Sequence, residues 1–226
     1  MRKDKVLLIL LLLLSSIYAE AQHIQTRQDF GIWIGVKVEK KLSQGFGLFF
    51  EQQLRTWKNT TRIASSVSEL GITYAINKNF KLNGSFRYIH DTNKWQSPED
   101  NLRYNLGIQL KLKITKKLTF YYKVQYQQKF VFDYKTTTPV RVSAVRQKVK
   151  LQLKYKKKHK FYFSTESFVE SDITTTPFFR KQRFNLGDKI KTKIGVFDTG
   201  IGYEINLQSH HFSSFLFFKL IYIIKL

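Results

Sequence analysis

The fold is decided by the run Leu102-Arg103-Tyr104-Asn105-Leu106-Gly107-Ile108-Gln109-Leu110-Lys111-Leu112-Lys113-Ile114. Its seven even-numbered residues are all large and apolar, and its odd-numbered ones are polar, charged or glycine. A helix with a period of 3.6 would scatter that pattern around its cylinder, whereas successive side chains of a strand point to opposite faces. The stretch is a strand with one oily face and one wet face.

The same alternation spreads outward from this stretch in both directions. Phe30, Ile32, Ile34, Val36 and Val38 oppose Gly31, Trp33, Gly35, Lys37 and Glu39. Phe46, Leu48, Phe50 and Leu54 oppose Gly47, Glu51, Gln53 and Arg55, and further segments start near residues 69, 80 and 118. Beyond them come 145–155, weaker segments at 161–170 and 179–190, and two more at 195–206 and 212–226. Eleven segments are visible. Short turns fall near Lys41-Leu42-Ser43, Asn77-Lys78-Asn79, Thr115-Lys116-Lys117 and Lys157-Lys158-His159. Longer polar loops at 58–63, 91–100, 131–139 and 171–178 alternate with them, and Pro98 and Pro139 lie in two. Short turns at one rim and long loops at the other are the arrangement of transmembrane β-barrels.

Alternation alone suits a lipocalin-like barrel in water as well, with the apolar face turned inward. Three features favour the membrane. The alternating runs reach thirteen residues, where soluble strands average about five or six and a tilted bilayer crossing needs about nine to eleven. Aromatic residues gather toward strand ends, as at Tyr88, Tyr104, Tyr126, Phe130 and Tyr155, in the manner of interfacial girdles. The last alternating segment places Leu220, Tyr222, Ile224 and Leu226 on one face, the kind of final strand that outer-membrane assembly machinery reads. The lipid-facing set then includes Leu106, Ile108 and Leu110.

The N-terminus fits export. Arg2, Lys3 and Lys5 precede nine apolar residues, Val6–Leu14, and Ala19-Glu20-Ala21 offers a small-x-small cleavage site. This describes a signal peptide over residues 1–21, followed by a single domain, 22–226. Nine residues of helix are too few to span a hydrocarbon core of about 30 Å. The chain has no cysteine, so it has neither a disulfide framework nor a cysteine metal site, and no cysteine for lipid attachment. A net charge of +23 raises nucleic acid as a partner, but an exported chain meets phospholipid and lipopolysaccharide instead. No cofactor is implied.

Bacterial barrels carry even strand numbers. Eleven segments therefore predict either about twelve antiparallel strands, with Gln22–Asp29 as the extra one, or ten, with two segments fused. The Lys-rich stretch 188–200 reads as irregular. If apolar faces meet lipid, the lumen holds Glu39, Glu51, Arg55, Glu69, Arg87, Arg103, Lys123, Arg146, Lys148 and Glu166. Unpaired buried charge is costly, so the first strands are expected to pair Glu39, Glu51 and Glu69 with Arg55, Arg87 and Arg103. On the seventh segment Arg146, Lys148, Lys150 and Lys154 meet few acids. A plug of ion pairs is one reading and a narrow, anion-favouring pore is another. Gly31, Gly35, Gly71 and Gly107 on the same face make room for large neighbours such as Trp33. Sixteen lysines crowd the short-turn windows, where they suit an anionic leaflet as well as plain solubility.

An enzyme is not expected. His90-Asp91 at a loop end and His210-His211 are the only histidine pairs of interest, and no nucleophile accompanies either. The run Asp29-Phe30-Gly31-Ile32-Trp33, the run Glu51-Gln52-Gln53-Leu54-Arg55 and the overall size resemble the family called domain of unknown function 2490. That family comprises uncharacterised exported proteins of Gram-negative bacteria. The resemblance implies a small outer-membrane barrel and carries no catalytic residue.

Overall fold

The computed structural model describes residues 27–92, 98–133, 140–172, 177–207 and 213–226. Eleven strands form one closed barrel: β1 Arg27–Lys41, β2 Phe46–Trp57, β3 Arg62–Ala75, β4 Phe80–Asp91, β5 Glu99–Lys113, β6 Leu118–Asp133, β7 Val140–Tyr155, β8 His159–Asp172, β9 Phe178–Lys191, β10 Val196–Asn206 and β11 Ser213–Lys225. Each strand pairs antiparallel with its sequence neighbours, and β1 closes on β11. The predicted signal segment and His210-His211 lie outside the described residues.

Strand number corrects the expectation of twelve or ten. Gln22–Asp29 contributes no separate strand within the described residues, because Arg27, Gln28 and Asp29 already belong to β1. An up-and-down ring of purely antiparallel pairs needs an even count. With eleven strands the first and last run in the same direction, and the seam is parallel from Arg27↔Ser213 to Glu39↔Lys225. β1 therefore begins at the long-loop rim while β11 ends at the short-turn rim. The stretch 188–200 is not irregular either: it holds the end of β9, a turn at 192–195 and the start of β10. The predicted loop 58–63 narrows to 58–61.

Local chemistry explains the turns. Asn77 Oδ1 accepts the amides of Asn79 and Phe80, each at 2.8 Å. Thr115 Oγ1 accepts those of Lys117 and Leu118, and Thr192 Oγ1 that of Gly195. Such side chains replace a missing backbone partner where a hairpin reverses. The β2–β3 turn is more strained, with Lys58, Asn59 and Thr60 all at positive φ. For a β-branched residue such as Thr60 this is a rare conformation. Asp29 holds it, its two oxygens accepting the Lys58 and Asn59 amides at 3.0 Å each.

The two faces of the wall are sharply different. Leu106 is 65% exposed, Leu186 64% and Leu70 59%, all pointing outward. Inside, Asn105, Asn101 and Glu166 are 2% exposed or less. Aromatic contacts sit on the outside near both rims. Phe46–Tyr74, Tyr155–Phe161 and Phe197–Tyr222 lie toward the short turns, and Tyr104–Phe130 lies toward the long loops.

Candidate functional site

The barrel interior is the site, and the two runs behind the family resemblance meet there. In the β1–β2 register Trp33 faces Arg55, Gly35 faces Gln53 and Lys37 faces Glu51. The Arg55 guanidinium lies 4.2 Å from the centroid of the Trp33 ring and hydrogen-bonds to Gln53 Oε1. Gln53 in turn donates to Glu51. On its other side Trp33 stacks on Phe217, with centroids 3.7 Å apart and planes at 13°. Arg183 of β9 reaches across to the same group, 4.9 Å from the Trp33 centroid and 5.2 Å from that of Phe168. Trp33, Phe217, Arg55 and Arg183 thus cross the lumen as a cation–π stack.

Phe217 owes its place to Gly202. It sits between Gly31 of β1 and Gly202 of β10 in the two registers, and a Cβ on Gly202 would collide with its ring. Gly71 lies beneath Phe49 in the same way. The predicted use of Gly31 and Gly71 as room for bulky neighbours is correct in kind, but the neighbours are Phe215 and Phe49 rather than Trp33. Gly35 and Gly107 lie beside Gln53 and Gln125.

Ion pairs occupy much of the remaining space. Glu69 accepts from Arg87 and, at 2.6 Å, from Ser85. Glu166 takes Arg146, Lys148 and Arg183. Glu204 takes Arg183 and, at 3.1 Å, Lys181. Asp198 takes Lys219 at 2.8 Å and Lys189 at 3.2 Å, and also accepts from the Tyr162 hydroxyl at 2.7 Å. Arg180 pairs with Glu170. Lys37 lies 3.0 Å from Glu39 and 3.8 Å from Glu51.

The pairing differs from the sequence expectation in its partners. Of the six residues expected to neutralise one another on the early strands, only Glu69 and Arg87 do so. Glu39 and Glu51 share Lys37, while Arg55 and Arg103 touch no carboxylate among the described residues. Arg146 and Lys148 do find an acid, and it is Glu166. Sequence reading missed Asp198, Glu204, Lys189 and Lys219. Once β10 is read by parity, Asp198 and Glu204 fall with Gly200 and Gly202 on its inward face, which is the signal that could have found them. His90 pairs with Asp100 at 2.9 Å, not with Asp91. Both groups lie on the outer face near the long-loop rim, where Asp100 also accepts from Tyr88. Among the described residues no group of His, Cys, Asp and Glu is arranged to hold a metal ion.

The packing leaves several adjoining cavities that share lining residues. One of about 300 Å³ at the short-turn end is bordered by Lys40, Lys41 and Lys81. It shares Lys37, Gln109 and Lys123 with a second of about 290 Å³. A third, about 250 Å³, shares Lys37, Arg146, Lys148 and Lys189 with the second and reaches Trp33 and Arg55. A fourth, about 250 Å³, lies beyond Trp33 and Arg55 toward the long loops. Trp33 and Arg55 stand where the third and fourth meet.

Neither a curated protein nor a solved structure matches this chain. A family model does match, over residues 30–211, from Phe30 in β1 through β2 and the eight strands β3 to β10. The chain belongs to the family described as protein of unknown function DUF2490.

Proposed function

We propose that the protein is an outer-membrane β-barrel of a Gram-negative bacterium, exported on a signal peptide removed before Gln22, with a lumen held shut by paired charges and an aromatic stack. The inverted burial pattern carries this reading. A barrel that turns leucine, isoleucine and phenylalanine outward and buries glutamate, asparagine and glutamine is stable where its surroundings are oily. In water the same surface would be a continuous apolar patch far beyond what monomers expose, which weighs against a soluble lipocalin-like carrier.

Strand lengths support the placement. Eleven to sixteen residues per strand, tilted by about 40°, reach across an apolar band about 25 Å tall. Partners follow from it: phospholipid and lipopolysaccharide around the wall, and the assembly machinery reading β11, whose Leu220, Tyr222 and Ile224 face outward. The short turns then lie in the periplasm and their lysines sit against the inner leaflet, where each gains about 1 kcal/mol from anionic lipid. In this reading the protein is not an enzyme; its role is structural or binding.

The row of adjoining cavities favours a second reading, a narrow anion-favouring pore gated at Trp33 and Arg55. A planar bilayer separates the two. The wild type is expected to show little or no steady current. Arg183→Ala removes the side chain that joins Glu166, Glu204 and the Trp33 stack, and should produce current that favours chloride over potassium. A large, cation-selective current from the wild type would contradict both readings.

A further inference from the structure

The second cavity is unusual in its lining. Six cationic side chains border it, Lys37, Lys123, Arg146, Lys148, Lys150 and Lys189, and no carboxylate does. Four of the six are engaged elsewhere, with Glu39 and Glu51, with Glu166, or with Asp198. Lys123 and Lys150 are not. Neither has a carboxylate partner among the described residues, and the strand register makes matters worse. Lys123 stands directly opposite Lys148, and Lys150 opposite Tyr121 on one side and Ser164 on the other. Like charges facing each other across a pair of strands are destabilising. The Lys150 ammonium lies 4.1 Å from the centroid of the Tyr121 ring, which offsets only part of that cost. Ser164 is 1% exposed and its hydroxyl has no hydrogen-bond partner.

The acids nearby are already engaged: Glu69 holds Arg87 and the Ser85 hydroxyl, and Glu39 holds Lys37. Glu166 serves three and Asp198 two, so moving either to Lys123 or Lys150 would strip another pair. What the chamber lacks is negative charge from outside the chain. Its volume, about 290 Å³, holds a tetrahedral oxyanion with several waters at about 30 Å³ each. An ammonium is a compact point donor suited to phosphoryl oxygens. The neighbouring cavity at the short-turn end carries five lysines, Lys37, Lys40, Lys41, Lys81 and Lys123, against Glu39 and Glu69, a net positive wall that attracts an approaching anion along its path.

We propose that this chamber is a binding site for a small, doubly charged oxyanion of the phosphate type, held chiefly by Lys123 and Lys150, with Arg146, Lys148 and Gln125 around it. A lipid headgroup is the less suitable source, because the six side chains point into the lumen and the acyl chains would have to leave the bilayer. The site requires only the closed barrel, so it can be tested in detergent, apart from the question of membrane residence or conductance.

The test uses full-length mature protein folded in a neutral detergent, titrated calorimetrically with inorganic phosphate at constant ionic strength. One saturable site is expected, not reproduced by chloride. Lys123→Gln and Lys150→Gln should each weaken it at least tenfold, while Lys116→Gln, the same charge change on the β5–β6 turn, should leave it unaltered. Thermal melts supply an independent readout. Phosphate should raise the midpoint of the wild type and of Lys116→Gln, but not that of the Lys123→Gln, Lys150→Gln double variant. Without phosphate that double variant should melt no lower than the wild type, since it loses only uncompensated charge. Absence of saturable binding, or binding that survives in the double variant, or equal loss in Lys116→Gln, would overturn the proposal.

Discussion

Gly202 lies directly across the β10–β11 pair from Phe217, and Gly31 lies across the seam on the other side. The Phe217 ring covers the Gly202 backbone, Phe215 lies over Gly31, and Phe217 leaves Trp33 a flat surface to stack on. Small residues on the inner wall therefore do the work of steering large ones across the lumen, a common device where strand glycines are shielded by aromatic neighbours. Gly202→Ala puts a methyl group into the Phe217 ring, and overpacking of this kind costs about 1–3 kcal/mol. The unfolding midpoint in urea should fall accordingly. Gly84→Ala is the control: its new Cβ would face outward, with its nearest neighbour the Leu106 Cδ2 at 3.6 Å, and the midpoint should hold or rise. Equal losses would mean that the loss of glycine itself, and not the Phe217 contact, is what matters.

At the scale of the strand, parity is legible in the sequence. The run 102–114 is β5 with its termini displaced by at most three residues, and the odd and even faces are those the structure shows. The inward residues on β1 to β7 were legible for the same reason. Their partners were not, because an ion pair depends on register, on side-chain reach and on which acid arrives from a strand far away in sequence. Lys37 illustrates this: it reaches Glu51 across the β1–β2 pair, while Arg55 turns to an aromatic face instead. β11 was harder still, since Phe215, Phe217, Ile221 and Ile223 face inward and Leu216, Phe218 and Leu220 outward, so its apolar character marks no face. The strand-level prediction uses the clearest case. Ile108→Arg sets a guanidinium on the outer wall, which on the proposed membrane placement costs roughly 2–4 kcal/mol near the bilayer midplane. Gln109→Glu adds a carboxylate on the cation-rich inner wall and should fold at least as well. Heat-modifiable migration on gels after refolding into lipid vesicles scores both. Normal folding of Ile108→Arg with failure of Gln109→Glu would mean the faces are reversed.

For the whole molecule, alternation supplies the strand number, eleven, and the even-number rule for bacterial barrels overrides it, pulling the expectation to twelve. Closure is a contact between the two ends of the chain, and no local pattern announces whether β1 and β11 will run parallel or antiparallel. The same global property makes the central claim testable in one step, because the wall has only two sides and the chain has no cysteine. A single cysteine at Leu106, labelled with a bimane fluorophore and refolded into vesicles, reports what surrounds the outer face. Lipids brominated along their acyl chains should quench it strongly, and iodide in the buffer should not. Quenching by iodide with no effect of the brominated lipid would place Leu106 in water and contradict the account.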